Sequence, residues 1–151
     1  MNEQLDTSDL DAVLDGIVAR MYPTPAEIEE AGAFILRRIL DRTARGRSVR
    51  GHFFRAYAES TAEDRARRGR NTTRPDLTDT GKMMASATYR EDGGDVLLYF
   101  ASRTEGRKAQ WHHEGTSRMP RREWFAASAG DLRDAGKMVS ERIAARLEGA
   151  S

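Results

Sequence analysis

Apolar residues recur with helical spacing in three stretches of the chain. In the first, Ser8 to Met21, the residues Leu10, Val13, Leu14, Ile17 and Val18 fall at i, i+3, i+4, i+7 and i+8. That spacing predicts a helix with one buried face. Thr7 or Ser8 can cap it, and Asp9 and Asp11 suit the positive end of its dipole. Tyr22-Pro23 then interrupts the pattern. Thr24-Pro25-Ala26-Glu27 restarts it, with Thr24 as N-cap, Pro25 at the first helical position and Glu27 closing a capping box. Ile28, Ala31, Ile35 and Ile39 form the second stripe, widened by Phe34, Leu36 and Leu40. This helix is expected to run to about Ala44 and stop at Gly46. The third stretch starts at Ser128, with Asp131 three residues on, and carries Leu132, Ala135, Val139, Ile143 and Leu147.

Between the second and third stretches the pattern changes. Residues 46–80 are rich in Gly, Arg, Ser and Thr and poor in aliphatics. Ala62 to Arg68 could form a short helix with a Glu63–Arg67 pair at i, i+4, and Arg70 to Pro75 reads as loop. So long a polar segment is usually functional or ordered by a partner. Leu77 to Met84 reads as a loop entering a helical turn, and Ala85 to Arg90 as a strand. Glu91-Asp92-Gly93-Gly94 is a hairpin signal. Asp95 to Ala101 is the strongest strand, and its continuous apolar character predicts burial on both faces. Arg107 to Glu114 reads as a short helix ending at Gly115, Met119-Pro120 as a turn, and Arg122 to Ala127 as a strand or extended segment. The expected fold is α+β in a single domain, 1–151. A small antiparallel sheet is packed by N-terminal helices and a C-terminal helix. Residues 1–22 hold an extra acidic N-terminal helix and residues 46–80 a long basic loop.

Composition sharpens this picture in two places. At 151 residues, with 38% hydrophobic and 32% charged, the chain can bury one modest core. A thin core suits a subunit stabilised by its neighbours, and equally an ordinary small domain. The net charge of +1 hides an asymmetry. Residues 1–41 hold nine acids against three bases, a net of −6, while residues 42–74 hold ten arginines against three acids, a net of +7. The acidic start lacks the pattern of a signal peptide. The longest apolar run, Val96 to Ala101, is far too short for a bilayer. A soluble protein made in a cytoplasm is expected, with no membrane partner.

The sequence offers little for catalysis. It has no cysteine, which excludes disulfides, Cys-based zinc sites and Cys nucleophiles. His112 and His113 are adjacent, so they diverge on a helix, and the HExxH spacing is missing. They read as a polar face beside Trp111. GxSxG, P-loop and dinucleotide signatures are also missing. Asp76 and Asp79 sit next to Pro75 and Thr80-Gly81, where turn and capping roles suffice. No enzyme, metal or cofactor is expected.

The chemistry worth weighing lies in the arginines. Arg42, Arg45, Arg47, Arg50, Arg55, Arg65, Arg67, Arg68, Arg70 and Arg74 surround Phe53, Phe54 and Tyr57. Arginine favours protein interfaces through bidentate carboxylate pairs, and the acidic head of the same chain would match it. A subunit interface is therefore the first reading, ahead of a solvated face and of nucleic-acid contact through phosphate pairing and base stacking. Arg122, Trp111 and Trp124 join the candidate interface or DNA-channel residues, and Phe125 reads as core.

Ordered motifs carry a resemblance. Arg42-Thr43-Ala44-Arg45-Gly46 leads to Gly51-x-Phe53-Phe54-x-x-Tyr57. Then come Ser60-Thr61-Ala62, Arg65 and Gly69, and Asp76-Leu77-Thr78-Asp79-Thr80-Gly81-Lys82-Met83-Met84. Further on stand His112, Gly115, Arg118, Met119-Pro120, Arg122 and Trp124-Phe125. In this order and spacing, over about residues 34–147, the chain resembles the virion-morphogenesis and tail-completion proteins of tailed phages, the head-tail joining group. The N-terminal helix has no counterpart in that pattern. The resemblance implies a non-catalytic virion subunit at the neck or tail. It would form a homo-oligomeric ring, commonly a hexamer, around the DNA channel and meet neck, connector or tail-tube proteins. Tail terminator and head-completion (stopper) positions are alternatives within the group, and a small nucleic-acid-binding protein is the alternative outside it. On the ring reading, residues 46–80 would order on assembly. The acidic head and basic middle would meet head to tail. Replacing Arg65, Arg67 and Arg68 with Glu would then block assembly and spare the monomer.

Overall fold

The computed structural model describes residues 8–149, with side chains from residue 12. Its elements are α1 (Ser8–Arg20), α2 (Pro25–Ala44), α3 (Glu59–Arg67), α4 (Lys82–Ser86), β1 (Ala87–Asp92), β2 (Asp95–Phe100), α5 (Arg103–Glu114) and α6 (Ala129–Glu148). The fold is mixed helix and sheet, as the sequence predicts.

The two long helices begin where their capping boxes stand. Thr24 Oγ1 accepts from the Glu27 amide at 3.2 Å, and the Glu27 carboxylate accepts from the Thr24 amide at 2.8 Å. Ser128 and Asp131 repeat the arrangement for α6, at 3.1 and 2.8 Å. Each box satisfies amides that the first helical turn leaves without partners. α2 lies at the centre and packs against α6 and against both strands. Its Ala31, Ile35 and Ile39 form one side of the core. Phe54, Leu77, Met83, Ala109, Trp124 and Ala135 complete it from the other elements and the segments between them.

β1 and β2 form an antiparallel hairpin, with Ala87 opposite Phe100 and Asp92 opposite Asp95. Gly93 and Gly94 turn the chain with φ of +62° and +95°, which a side chain would resist. Gly32 lets α2 approach the hairpin closely. A Cβ there would lie 2.8 Å from Tyr89 Cδ2 and 3.0 Å from Val96 Cγ1. Tyr89 and Val96 therefore face α2, and the alternate residues Leu97 and Tyr99 face away. The expected burial of β2 on both faces is not realised. Exposure alternates along the strand because a two-stranded sheet has one covering layer.

Trp124 anchors the far end of the core with no exposure at all. Its indole Nε1 donates to the Ala109 carbonyl at 3.2 Å. Its ring meets Phe100 edge-on at 6.0 Å and Phe125 at 5.1 Å. This satisfies the polar handle of a buried Trp while its rings pack. Arg121 to Trp124 has no regular secondary structure and a bend follows at Phe125-Ala126, so the strand expected over Arg122 to Ala127 does not form.

Three other expectations need correction. The short helix expected within 46–80 forms as α3, but it starts at Glu59 rather than Ala62 and ends at Arg67. The Glu63–Arg67 pair does not form. Asp64 takes both Arg67, at 3.7 Å, and Arg68 instead. α5 starts at Arg103, one turn before the expected Arg107, because Ser102 caps it by accepting from the Glu105 amide.

The largest departure concerns α1. The helix is present, but its apolar face is not covered. Val13, Leu14, Ile17, Val18 and Met21 are each 44–58% exposed, and the helix packs lightly against α6. The expected caps and Leu10 lie outside the described side chains.

Candidate functional site

The basic middle is organised around two buried guanidinium groups. Arg65, near the end of α3, is 5% exposed. Its Nε donates to the Asn71 carbonyl at 2.9 Å. One of its Nη atoms donates to the Thr78 carbonyl at 2.9 Å and to Asp76 Oδ1 at 3.2 Å. The same carboxylate oxygen accepts from the Thr78 amide at 3.0 Å. A single side chain thus fastens three points of the irregular stretch after α3. The resulting charge-assisted bonds replace the solvation lost on burial.

Tyr57 joins this anchor to the second. The Arg65 guanidinium lies 4.5 Å from the Tyr57 ring centroid and that of Arg122 lies 5.4 Å from it. Arg122 is buried and donates to the Arg55 carbonyl at 3.1 Å. Burial pushes the Tyr57 hydroxyl above its ordinary pKa, against the opposing charge of Arg65. Burial likewise lowers Arg122. Beside them His112 is driven to about 4, first by burial and then by the Arg122 charge. Its Nδ1 is buried without a hydrogen-bond partner among the described residues.

Most other arginines of the run are also spent inside the chain. Arg42 donates to Asp131 Oδ2 and to the Ala126 carbonyl, each at 2.6 Å, and so ties the end of α2 to the start of α6. Arg38 reaches the other oxygen of Asp131 at 3.2 Å and also pairs with Asp134. Arg68 meets both oxygens of Asp79 at 3.0 Å, and Arg70 lies 3.4 Å from the same carboxylate. Arg50 approaches Glu123 at 3.7 Å. Arg47 donates to the Gly51 carbonyl at 2.7 Å and stacks 4.1 Å from the exposed Phe53 ring, with Arg74 at 4.6 Å from it. Arg45 and Arg55 are exposed and pair with no carboxylate among the described residues.

These placements correct the candidate list. Phe54, Arg65, Arg122 and Trp124 are interior residues and present nothing to a partner, while Tyr57 and Arg42 are largely enclosed. Two acids of the head are used within the subunit. Glu27 pairs with Arg146 at 3.1 Å and Glu30 with Arg142 at 2.8 Å, both on α6. The proposed triple replacement of Arg65, Arg67 and Arg68 would strike one buried anchor along with two surface cations.

Among the exposed surfaces of the described residues, two on helices combine large apolar side chains on one face or set them beside unpaired cations. One is the apolar face of α1. The other is a face of α5 on which Arg103, Arg107 and Trp111 stand four residues apart, with Lys108 beside them. Trp111 is 46% exposed, and Arg103 and Arg107 make no ion pair among the described residues. The sequence reading named Trp111 but missed the two arginines, because it began the helix at Arg107. The cap at Ser102 is the signal that would have aligned them.

A cleft of about 270 Å³ lies between the Leu77–Met84 segment and α5. The carboxylates in its lining, Asp79 and Glu105, are held by Arg68, Arg70 and Lys108. Among the described residues no cluster of three His, Asp or Glu could hold a metal, and no helix is long and apolar enough to cross a membrane. Compared with family models, curated proteins and solved structures, the chain finds no match in any of the three.

Proposed function

We propose that the chain is a structural, non-catalytic subunit of the head-tail junction of a tailed bacteriophage, a tail-completion or neck protein that acts within a homo-oligomeric ring. The observation that carries this reading is the open apolar face of α1, on which five large apolar side chains stay exposed beside a packed core. Exposed apolar surface of this kind marks an interaction site. The motif residues behind the phage resemblance support the same reading, because they interlock. Tyr57 bridges Arg65 and Arg122, Arg65 holds Asp76, and Thr43 and Trp124 are fully buried. Residues far apart in sequence but arranged around one frame are what a shared fold requires. The ring would sit among neck, connector or tail-tube proteins in the virion, and terminator and stopper positions belong to the same reading.

Nucleic-acid contact is the second reading, and one observation favours it. Phe53 is exposed with Arg47 and Arg74 on its ring, and Arg45 and Arg55 are open nearby, a combination suited to base stacking beside phosphate. Deleting the gene from its phage separates the two. The junction reading expects filled heads and finished tails that do not form infectious particles. Normal particle yield, together with steeply salt-dependent DNA binding by the isolated chain, would overturn it.

A further inference from the structure

We propose that Arg47 and Arg74, gathered on the exposed ring of Phe53, are the centre of a surface that binds the phosphodiester backbone of nucleic acid. The inference rests on the nucleic-acid reading above for its partner, and it adds the residues and the mode of contact. It does not depend on ring assembly.

The fold brings the two cations together from separate segments. Gly46, with φ of +69°, lets the chain after α2 press against Arg74 and Pro75. A Cβ there would lie 3.1 Å from the Pro75 carbonyl oxygen and 3.2 Å from Arg74 Cβ. Arg47 and Phe53 then face each other across an isolated antiparallel bridge. The Phe54 amide donates to the Gly46 carbonyl and the Ser48 amide to the His52 carbonyl, each at 2.8 Å. The two guanidinium carbons end 4.1 and 4.6 Å from one ring centroid. The like charges therefore stand within about 9 Å of each other, close to the screening length at physiological salt. Arg47 donates to the Gly51 carbonyl, and neither arginine pairs with a carboxylate among the described residues. An anion held between them relieves a repulsion that the fold itself leaves standing.

The charge continues on both sides of the ring. A cleft of about 260 Å³ runs from Phe53 past Arg50, His52, Arg55 and Arg121, with Glu123 as the acid in its lining. A second hollow holds Arg45, Arg47 and Arg50. There Asp131 is already taken by Arg38 and Arg42, and Asp41 is the remaining acid. The cations stand on fixed backbone. The Val49 amide donates to the Glu123 carbonyl at 2.8 Å, and Arg122 holds the Arg55 carbonyl at 3.1 Å. Donors placed in advance bind at a lower ordering cost.

The composition of this face selects the partner. A protein interface has an apolar centre depleted in charge. A nucleic-acid interface is more polar and far more positive. Among the large apolar side chains that the described residues leave exposed, Phe53 alone stands in this surface. With two guanidinium groups already on its ring, Phe53 holds them in place and is not a bare platform for a base. The contact is therefore to backbone phosphate, independent of sequence.

Fluorescence anisotropy of the full chain tests this. The probes are two labelled duplexes of unrelated sequence and a labelled oligothymidylate, each followed from about 50 to 200 mM salt. Both duplexes and the single strand are expected to bind, with affinity falling steeply as salt rises. Arg47→Ala combined with Arg74→Ala is expected to weaken duplex binding about tenfold or more and to reduce the log–log salt slope by about 2. Lysine at both positions is expected to restore the slope, because it returns the charges without the fork geometry. Arg67→Ala, which removes an exposed arginine of α3, is expected to change neither quantity. Circular dichroism melts verify that each variant folds.

Different failures point to different errors. If the double alanine variant binds like the parent, this surface is the wrong one and the nucleic-acid reading stands. If the single strand binds far more tightly than either duplex, bases carry the contact and the backbone mode is wrong. If polyglutamate binds as tightly as duplex at equal salt and is lost in the same variant, the face takes an acidic protein. A chain that binds no nucleic acid even at low salt overturns both this inference and the nucleic-acid reading.

Discussion

The basic segment between Gly46 and Thr80 and the N-terminal helix α1 differ in a way opposite to their sequences. The segment is polar, glycine-rich and strongly cationic, yet it is fastened from within by Arg65, Asp76 and a succession of carbonyl groups. α1 is short, regular and amphipathic, yet its apolar face is open. Polar character is not the same as looseness, because a buried guanidinium can hold several turns of irregular chain. Amphipathic character is not the same as burial, because the pattern states that a face needs cover and not which molecule provides it.

Several substitutions would break or sharpen this contrast. The largest effect is expected at Arg65. Arg65→Ala leaves Asp76 without its charged partner and two carbonyl groups without their donor, and removing one partner of such a buried pair costs about 3–5 kcal/mol. Urea unfolding should register it, and a variant as stable as the parent would show that the segment is held by something else.

The same enclosed cluster should make the protein acid-sensitive. His112 has a folded pKa of about 4 against an ordinary 6.5. The unfolded chain therefore takes up this proton at higher pH than the folded chain does. The stability contributed by neutral His112 is complete above pH 6.5 and is lost as pH falls from there towards 4. The loss reaches at most about 3 kcal/mol. His112→Leu should flatten the fall in urea midpoint between pH 7 and pH 4.5, and an unchanged slope would remove His112 from the account.

Asp131 is next. Burial raises its carboxyl, but the Ser128 amide and Arg42 more than offset this, and the net shift is downwards. Its contribution is thus present above the ordinary carboxylate range and fades as pH falls below it. Asp131→Asn should cost about 1–2 kcal/mol at neutral pH, through the weakened cap and the Arg42 bond. The deficit should shrink in acid, and a constant deficit would mean that charge is not the cause.

The smallest effects on the fold are expected where the contrast is sharpest. Arg67, with its side chain 75% exposed, sits two residues from Arg65. Arg67→Glu should alter stability by no more than about 0.5 kcal/mol. Ile17→Asp should likewise leave unfolding of the monomer within about 0.5 kcal/mol, because the face it changes is not packed. If Ile17→Asp markedly destabilises the monomer, then α1 belongs to the core after all.

The sequence by itself determined the elements governed by local chemistry. Thr24-Pro25-Ala26-Glu27 and Ser128 with Asp131 set two helix starts, because a capping box needs only residues within one turn. Glu91-Asp92-Gly93-Gly94 set the hairpin for the same reason, and the mixed fold followed. Tertiary structure alone decided which charges are inside. Arg65 and Arg67 are two residues apart on α3 and have the same chemistry. Only the return of the chain at Asn71, Asp76 and Thr78 makes one an anchor and leaves the other in solvent. It alone decided that β2 is covered on one face, since nothing in the strand reveals how many layers pack on it. The open faces of α1 and α5 were half-legible: their periodicity lies in the sequence, but burial is a relation between distant surfaces, and local spacing cannot state whether the fold supplies the second one.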